Sequence, residues 1–376
     1  MMVRLKKISI NFYFRNPERK PVIIFHREHT DILRKFILFD IDYTVLDADG
    51  DVLHITPHLI ALMIKNLRYL VRSFHIAKTT LSGRLYKIYL LSFIEYTKPK
   101  IVITLIDNSY LFQWVSRIYK KAEFYAIENG ARNDVRGASD IMSMPNLFCF
   151  GNYDIDVFRN NGHLIDNYYP VGSLFGGYYK TEVSPSKVNI NYEICMVSQW
   201  EPSILSNDSQ PGRKDAFKLL DQYLNLYVNN HSCSMCIATR SNEYQVLNYY
   251  KTIYGKSVHI IQYDKFDFTT YKAMDFSSII IASNSTAAVE AFGWGKKTLF
   301  CTLSRDKRYS YPVEDYCSVK TVSYDEFEKK LDFLRNMDYN VYLKSTERSR
   351  KYLMNYDFSM PAHKYIRNMI LKRLGK

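Results

Sequence analysis

The richest chemistry in this 376-residue chain lies between Ser278 and Cys301. An apolar run ending at Ala282 is followed by the polar turn Ser283-Asn-Ser-Thr286, a stretch of helical period over 286–293, Gly295, and a second apolar run to Cys301. That order reads as strand, tight turn, helix, strand. Ser283, Asn284, Ser285 and Thr286 then stand where a strand's carboxyl end meets a helix N-terminus, whose unsatisfied N–H groups and dipole favour a phosphate. The same side chains also serve as ordinary helix caps. Capping does not account for Glu290, because a capping box places the acid three residues after Ser or Thr, and residue 287 is Ala. Four positions after Thr286, Glu290 shares its helical face one turn inward. It is expected to accept hydrogen bonds from a ribose while the turn holds a pyrophosphate.

Transfer of an activated group to a hydroxyl needs a base for the departing proton, and cations or N–H groups for the leaving phosphate. Two more segments place suitable side chains directly after apolar runs, where strand-end loops face a cleft. The run 101–106 leads into Asp107, Asn108 and Ser109, and the run 123–127 leads into Glu128, Asn129, Gly130 and Arg132. Asp107 and Glu128 are candidate bases; Asn108, Ser109, Asn129, Gly130 and Arg132 are candidate acceptor-side residues. In the second half, Ser198 and Gln199 end the apolar run 193–198, and Arg213 and Arg240 are placed to reach phosphates. The loop before Arg213, with Pro202, Pro211 and Gly212, is long enough to be functional.

Other chemistries compete. Phe36-Ile-Leu-Phe-Asp40-Ile-Asp42-Tyr-Thr44 matches the D-x-D-x-T motif of haloacid-dehalogenase-type phosphatases, with Asp40 as nucleophile and Asp42 as acid/base. That chemistry also needs a later acidic pair for Mg²⁺, and no apolar strand ending in such a pair follows Lys297. Asp40, Asp42 and Asp47 therefore read as a strand-end turn. A polyol-phosphate transferase is the second alternative; it needs histidines in the cleft, for which His26, His29 and His163 are the N-terminal candidates. Cys233-Ser-Met-Cys236 has no second Cys/His pair at zinc-ligand spacing, so no metal is expected.

The elements that must position these residues follow from the alternation of apolar runs with stretches of helical period, the pattern of parallel α/β architecture. Strands are predicted near 22–26, 36–40, 101–106, 123–127 and 146–150, then near 193–198, 235–239, 257–262, 276–282 and 297–302. Helices are predicted at 57–75 and 110–121, then at 213–229, 242–254, 286–293 and 324–336. Pro170, Gly172, Gly176 and Gly177 open a polar seam, which puts a boundary near 175–190.

A formal charge of +13 calls for an anionic partner. Its spread along the chain, without a nucleic-acid-binding motif, argues against nucleic acid. No tract approaches the roughly 20 apolar residues of a membrane span, and no cleavable leader is evident, so a cytoplasmic protein is expected. Residues 363–376 form a basic helical pattern. Its Ile366, Met369, Ile370 and Leu374 face would either rest on an anionic membrane surface or pack on a domain.

Ser285-Thr286, Glu290-Ala291 and Gly295-Lys296-Lys297, together with Lys98–Ser109 and Ala122–Arg132, resemble GT-B glycosyltransferases of bacterial surface carbohydrate and O-antigen biosynthesis. The resemblance covers about residues 95–300. It implies two Rossmann-like α/β domains facing across a cleft: an acceptor-side domain over 1–178, a nucleotide-sugar-binding domain over 190–350, and a basic helix over 351–376. It also implies metal-independent transfer, without a cofactor, from a nucleotide sugar to a lipid-linked or growing surface polysaccharide such as O-antigen or capsule; the basic charge adds an expected place on the inner face of the cell membrane.

Overall fold

The computed structural model describes residues 11–71, 80–132, 141–185, 189–201, 204, 211–303 and 310–376. The N-terminal half contains strands β1 (Asn11–Tyr13), β2 (Val22–Ile24), β3 (Tyr43–Val45), β4 (Val52–His54), β5 (Ile101–Thr104), β6 (Glu123–Ile127), β7 (Ser143–Cys149) and β8 (Leu164–Pro170). Its helices are α1 (Thr30–Phe36), α2 (Pro57–Asn66), α3 (Arg68–Val71), α4 (Leu81–Thr97), α5 (Tyr110–Ile118), α6 (Asn152–Asn160) and α7 (Leu174–Tyr178). Six strands form a parallel sheet in the order β3-β2-β5-β6-β7-β8, while β1 pairs with β4.

The C-terminal half contributes β9 (Tyr192–Val197), β10 (Met235–Ala238), β11 (His259–Ile261), β12 (Ser277–Ala282), β13 (Lys297–Cys301) and β14 (Ser318–Val319). Its helices are α8 (Pro211–His231), α9 (Tyr244–Tyr254), α10 (Thr269–Asp275), α11 (Thr286–Gly293), α12 (Tyr324–Asn336), α13 (Tyr339–Ser345), α14 (Glu347–Leu353) and α15 (Ala362–Leu374). The second sheet is also parallel, in the order β11-β10-β9-β12-β13-β14. The chain therefore has two Rossmann-like α/β domains, the arrangement of the GT-B fold.

Parallel strands are buried on both faces, which is why they read as continuous apolar runs. In the first sheet Val22, Ile24, Ile101 and Ile103 point to one core, shared with Ile32, Leu33 and Phe36 of α1. Ile23, Val102, Phe124 and Ala126 point to the other, shared with α4 and α5. The last helix belongs to the first of these cores: Ile366 and Ile370 of α15 are buried against the N-terminal sheet, each contributing about 2 kcal/mol. Its cations meet acids of the same domain, with Arg367 on Asp40, Lys364 on Glu182 and Arg373 on Glu123. The apolar face of this helix is thus consumed by packing on a domain.

The crossing that leads to α15 is tight. Gly151 has no room for a side chain, since a Cβ there would collide with the backbone carbonyl of Tyr352. Asn355 is clamped beyond it, its N–H donating to Phe150 O at 2.7 Å and its side-chain amide to Pro170 O at 2.5 Å.

Three expectations are corrected. The segment 36–40 is not a strand: Phe36 ends α1, and Ile37 and Leu38 turn into the core beneath it. An apolar run without β-branched alternation served a helix end equally well. Asp40 accordingly sits exposed in a turn, both carboxylate oxygens 2.7 Å from the Arg367 guanidinium. It has no strand end to present it as a nucleophile, and the phosphatase reading falls with that. The helix expected over 57–75 stops at Asn66, with a short α3 behind it; residues 72–79 lie outside those described. That over 110–121 stops at Ile118.

Candidate functional site

The carboxyl ends of both sheets open onto one cavity of about 610 Å³. From the C-terminal side come the loops after β9, β10, β11 and β12; from the N-terminal side come those after β5, β6, β7 and β8. This is where parallel α/β sheets bind ligands.

Asn284, Ser285, Thr286 and Ala287 line the cavity at the start of α11; Ser283 is buried behind them, against Ser198 and Gln199. Ser285 is the N-cap residue, yet its side chain makes no capping hydrogen bond. The start of α11 thus meets the cavity as a helix N-terminus, a position that favours anions. The Thr286 hydroxyl accepts instead from the Ala131 N–H of the opposite domain at 2.9 Å. The Asn284 N–H donates to Gln199 Oε1 at 3.0 Å, joining two strand-end loops. Asn284 Oδ1 is buried without a partner. Ser198 lines the cavity, but its hydroxyl is engaged by the Trp200 N–H and the Tyr250 hydroxyl at 3.1 and 2.5 Å. Arg240 lines the cavity and is exposed. Arg213 falls in the first turn of α8, with its side chain outside those described, as are loop residues 202–203 and 205–210.

Glu290 is in the cavity wall and 2 % exposed. One carboxylate oxygen accepts from the Ser173 hydroxyl of the N-terminal half, the other from the Tyr271 hydroxyl at 2.9 Å. Burial raises its pKa to about 7, against the opposing pull of the Ser173 and Tyr271 hydrogen bonds. Glu290 is thus an interdomain strut. Gly176, at the start of α7, is required beside it, because a Cβ would run into the Tyr356 hydroxyl and approach Glu290 to 3.2 Å.

On the facing wall, Glu128, Asn129, Gly130 and Ala131 line the cavity. Asp107 is fully buried and does not; its carboxylate is paired with the Arg132 guanidinium at 2.5 Å. Asn108 is exposed, and Ser109 caps α5 by accepting from the Phe112 N–H at 3.4 Å. Asp154 completes a group that the sequence did not reveal. Buried at the start of α6, it accepts from the Gly151 N–H at 2.9 Å. The Arg132 guanidinium pairs with Asp107, and its charge also acts on Glu128 and Asp154. Burial, then the charges of Asp154 and Asp107, push the Glu128 pKa well above the ordinary carboxyl range. Burial also raises Asp154 to about 7, opposed by its hydrogen bond from Gly151. Glu128 Oε2 accepts from the Phe150 N–H at 3.3 Å, while Oε1 is buried without a partner. The raised pKa makes Glu128 a stronger proton acceptor, once ionised, than an ordinary carboxylate at the cavity wall.

The loop after β11 supplies residues that sequence reasoning missed: Tyr263, Asp264, Lys265 and Phe268 all line the cavity. Burial lowers the Lys265 pKa, partly offset by Glu28 and Asp31 of the N-terminal domain. Phe268 holds φ at +55°, a conformation costly for a bulky side chain, and is packed among Phe36, Tyr178 and Tyr179. The signal in the sequence is the apolar run 257–262, whose strand-end loop faces the cleft as the others do.

No histidine lines the cavity among the described residues. His26 Nδ1 lies 2.8 Å from the Thr104 hydroxyl, with its pKa lowered to about 4 by burial and by His29. His163 Nδ1 accepts from the Met142 N–H at 2.9 Å. Among the described residues, no group of three or more His, Cys, Asp or Glu side chains is placed to hold a metal ion. No described helix is long and apolar enough to cross a membrane.

No family model matches the chain, and no curated protein matches it. Among solved structures, the chain is similar to the S. aureus protein MnaA in complex with UDP, with 13 % identity, a TM-score of 0.56, and coverage of 95 % of this chain and 97 % of that one. It is also similar to the wall teichoic acid polymerase TagF, with 10 % identity, a TM-score of 0.53, and coverage of 94 % and 89 %. A third similar structure is the UDP-GlcNAc 2-epimerase from Neisseria meningitidis bound to UDP-GlcNAc, with 13 % identity, a TM-score of 0.50, and coverage of 94 % and 98 %. At these identities the likeness is one of fold.

Proposed function

We propose that the chain is a glycosyltransferase that moves a sugar from a nucleotide-activated donor to a hydroxyl of a lipid-linked or growing surface glycan, without a metal ion or cofactor. The observation that carries this reading is the facing of two unlike walls across one cavity. The uncapped N-terminus of α11, with Ser285 and Thr286, suits a diphosphate; the loop of Glu128 opposite suits proton transfer at an acceptor hydroxyl. Arg240 and Lys265 supply positive charge for the leaving diphosphate, and Glu128, once ionised, takes the acceptor's proton. Asp107 and Arg132 hold the Glu128 loop from behind. Glu290 closes the ribose side of the site. The fold neighbours that bind UDP and UDP-GlcNAc, and the wall teichoic acid polymerase among them, support a nucleotide-sugar substrate and surface glycan synthesis. Among the described residues the cavity wall holds no histidine, which favours glycosyl over polyol-phosphate transfer.

The test is thermal stabilisation by CMP, CDP, UDP, GDP and ADP with and without Mg²⁺, because a ligand bound only by the native state raises its melting temperature. One nucleotide is expected to stabilise the protein in the absence of metal. No response to any of them would sink the proposal.

A further inference from the structure

Helix α2 carries an exposed apolar stripe beside its core-facing one. Leu59 faces the core, 1 % exposed, with Met63 packed beside it. Ile60, Ile64 and Leu67, at i, i+4 and i+7, form an outer stripe that is 47, 64 and 40 % exposed. Helix α4, which packs on α2, adds Leu81 and Leu85 at 70 and 39 %. Single exposed leucines are ordinary, but a contiguous exposed apolar stripe implies a cover.

The charge pattern identifies that cover. No Asp or Glu occurs between Asp51 and Glu95, whereas Lys65, Arg68 and Arg84 do. Lys65 is paired with Glu95 at 2.5 Å, and Arg68 is exposed at the end of the stripe. A second copy of this chain meeting the stripe through a two-fold axis would bring these cations against themselves. An anionic bilayer reverses that cost: isoleucines and leucines enter the acyl boundary while guanidinium groups meet headgroup phosphates. We infer that α2 and the first turns of α4 form a docking surface for an anionic lipid membrane. This surface is distinct from α15, whose apolar face is spent on the N-terminal core.

The experiment is cosedimentation of the full chain with vesicles of phosphatidylcholine, with and without phosphatidylglycerol. Binding is expected only to the anionic vesicles, and less of it at raised salt. The double substitution Ile60→Ser and Ile64→Ser is expected to weaken binding about tenfold. The stripe is exposed, so melting temperature and nucleotide response are expected to hold. Arg68→Glu, measured separately, is expected to reduce the preference for phosphatidylglycerol. Three outcomes overturn the inference: no binding to anionic vesicles, full binding by both variants, or a concentration-dependent dimer that the double substitution abolishes.

Discussion

The Ala131 N–H donates to the Thr286 hydroxyl across 2.9 Å, so two strand-end turns 155 residues apart in sequence touch across the cleft. Thr286 therefore does not cap its own helix. Thr286→Val removes the acceptor and leaves the Ala131 amide unmet, at a cost of about 1 kcal/mol. Urea unfolding is expected to show that loss, and the nucleotide-induced thermal shift to shrink with it. Thr286→Ser keeps the hydroxyl and is expected to restore both; equal behaviour of Val and Ser variants would show that the contact is idle.

Glu290 gives stability a pH dependence of definite sign. Its folded pKa is about 7, against 4.5 as the ordinary value. Between these values the folded state keeps a proton that the unfolded chain releases, so stability is greatest below pH 4.5 and declines until about pH 7. The decline from this group is about 3 kcal/mol. Glu290→Gln is expected to flatten that part of the profile in denaturant unfolding at pH 5 and 8. The same variant tests the ribose assignment, which requires its donor affinity to fall.

Burial, then the charges of Asp154 and Asp107, raise the Glu128 pKa. If it is the base, turnover rises with pH over a range above that of an ordinary carboxyl group, since only the ionised form accepts the proton. Glu128→Gln is expected to abolish turnover while nucleotide binding survives. A flat pH profile with an active variant would remove Glu128 from the mechanism.

Asp107→Asn leaves the Arg132 guanidinium, 14 % exposed, without its anionic partner. Breaking a buried pair in this way costs about 3 kcal/mol. A melting temperature unchanged from that of the parent would contradict the structural role given to this pair.

Lys265→Gln removes a cavity-lining cation and is expected to weaken nucleoside diphosphate binding about tenfold, with the difference shrinking at high salt. Calorimetric titration at two ionic strengths reads both effects. Unaltered affinity would return the positive charge of the site to Arg240 alone.

The sequence was most legible where local signals agreed with one another. Thr286–Gly293 and Tyr324–Asn336 form as helices with the bounds that period and capping residues predict. Helix α4 was not read because Lys87 through Ile94 are buried on all sides, which erases helical period. Strand β8 was not read because its Asp166 and Asn167 belong to an edge strand, whose alternation is weaker than an interior apolar run. In the cleft, strand-end position identified Glu128 and Thr286. It did not distinguish Asp107, which follows its strand equally closely but turns away from the cavity to meet Arg132. Asp154 is not legible as a site residue because a buried acid has no mark in sequence until its neighbours are known.

The return of α15 bears on how the protein is made. When a ribosome has delivered all six strands of the first sheet, Ile366 and Ile370, which complete one of its two cores, are still untranslated. Domains ordinarily mature in order of synthesis. Here the domain translated first stays open along one side until the second has emerged, so the two halves reach their finished state together and a nascent chain halted between them exposes an unfilled groove.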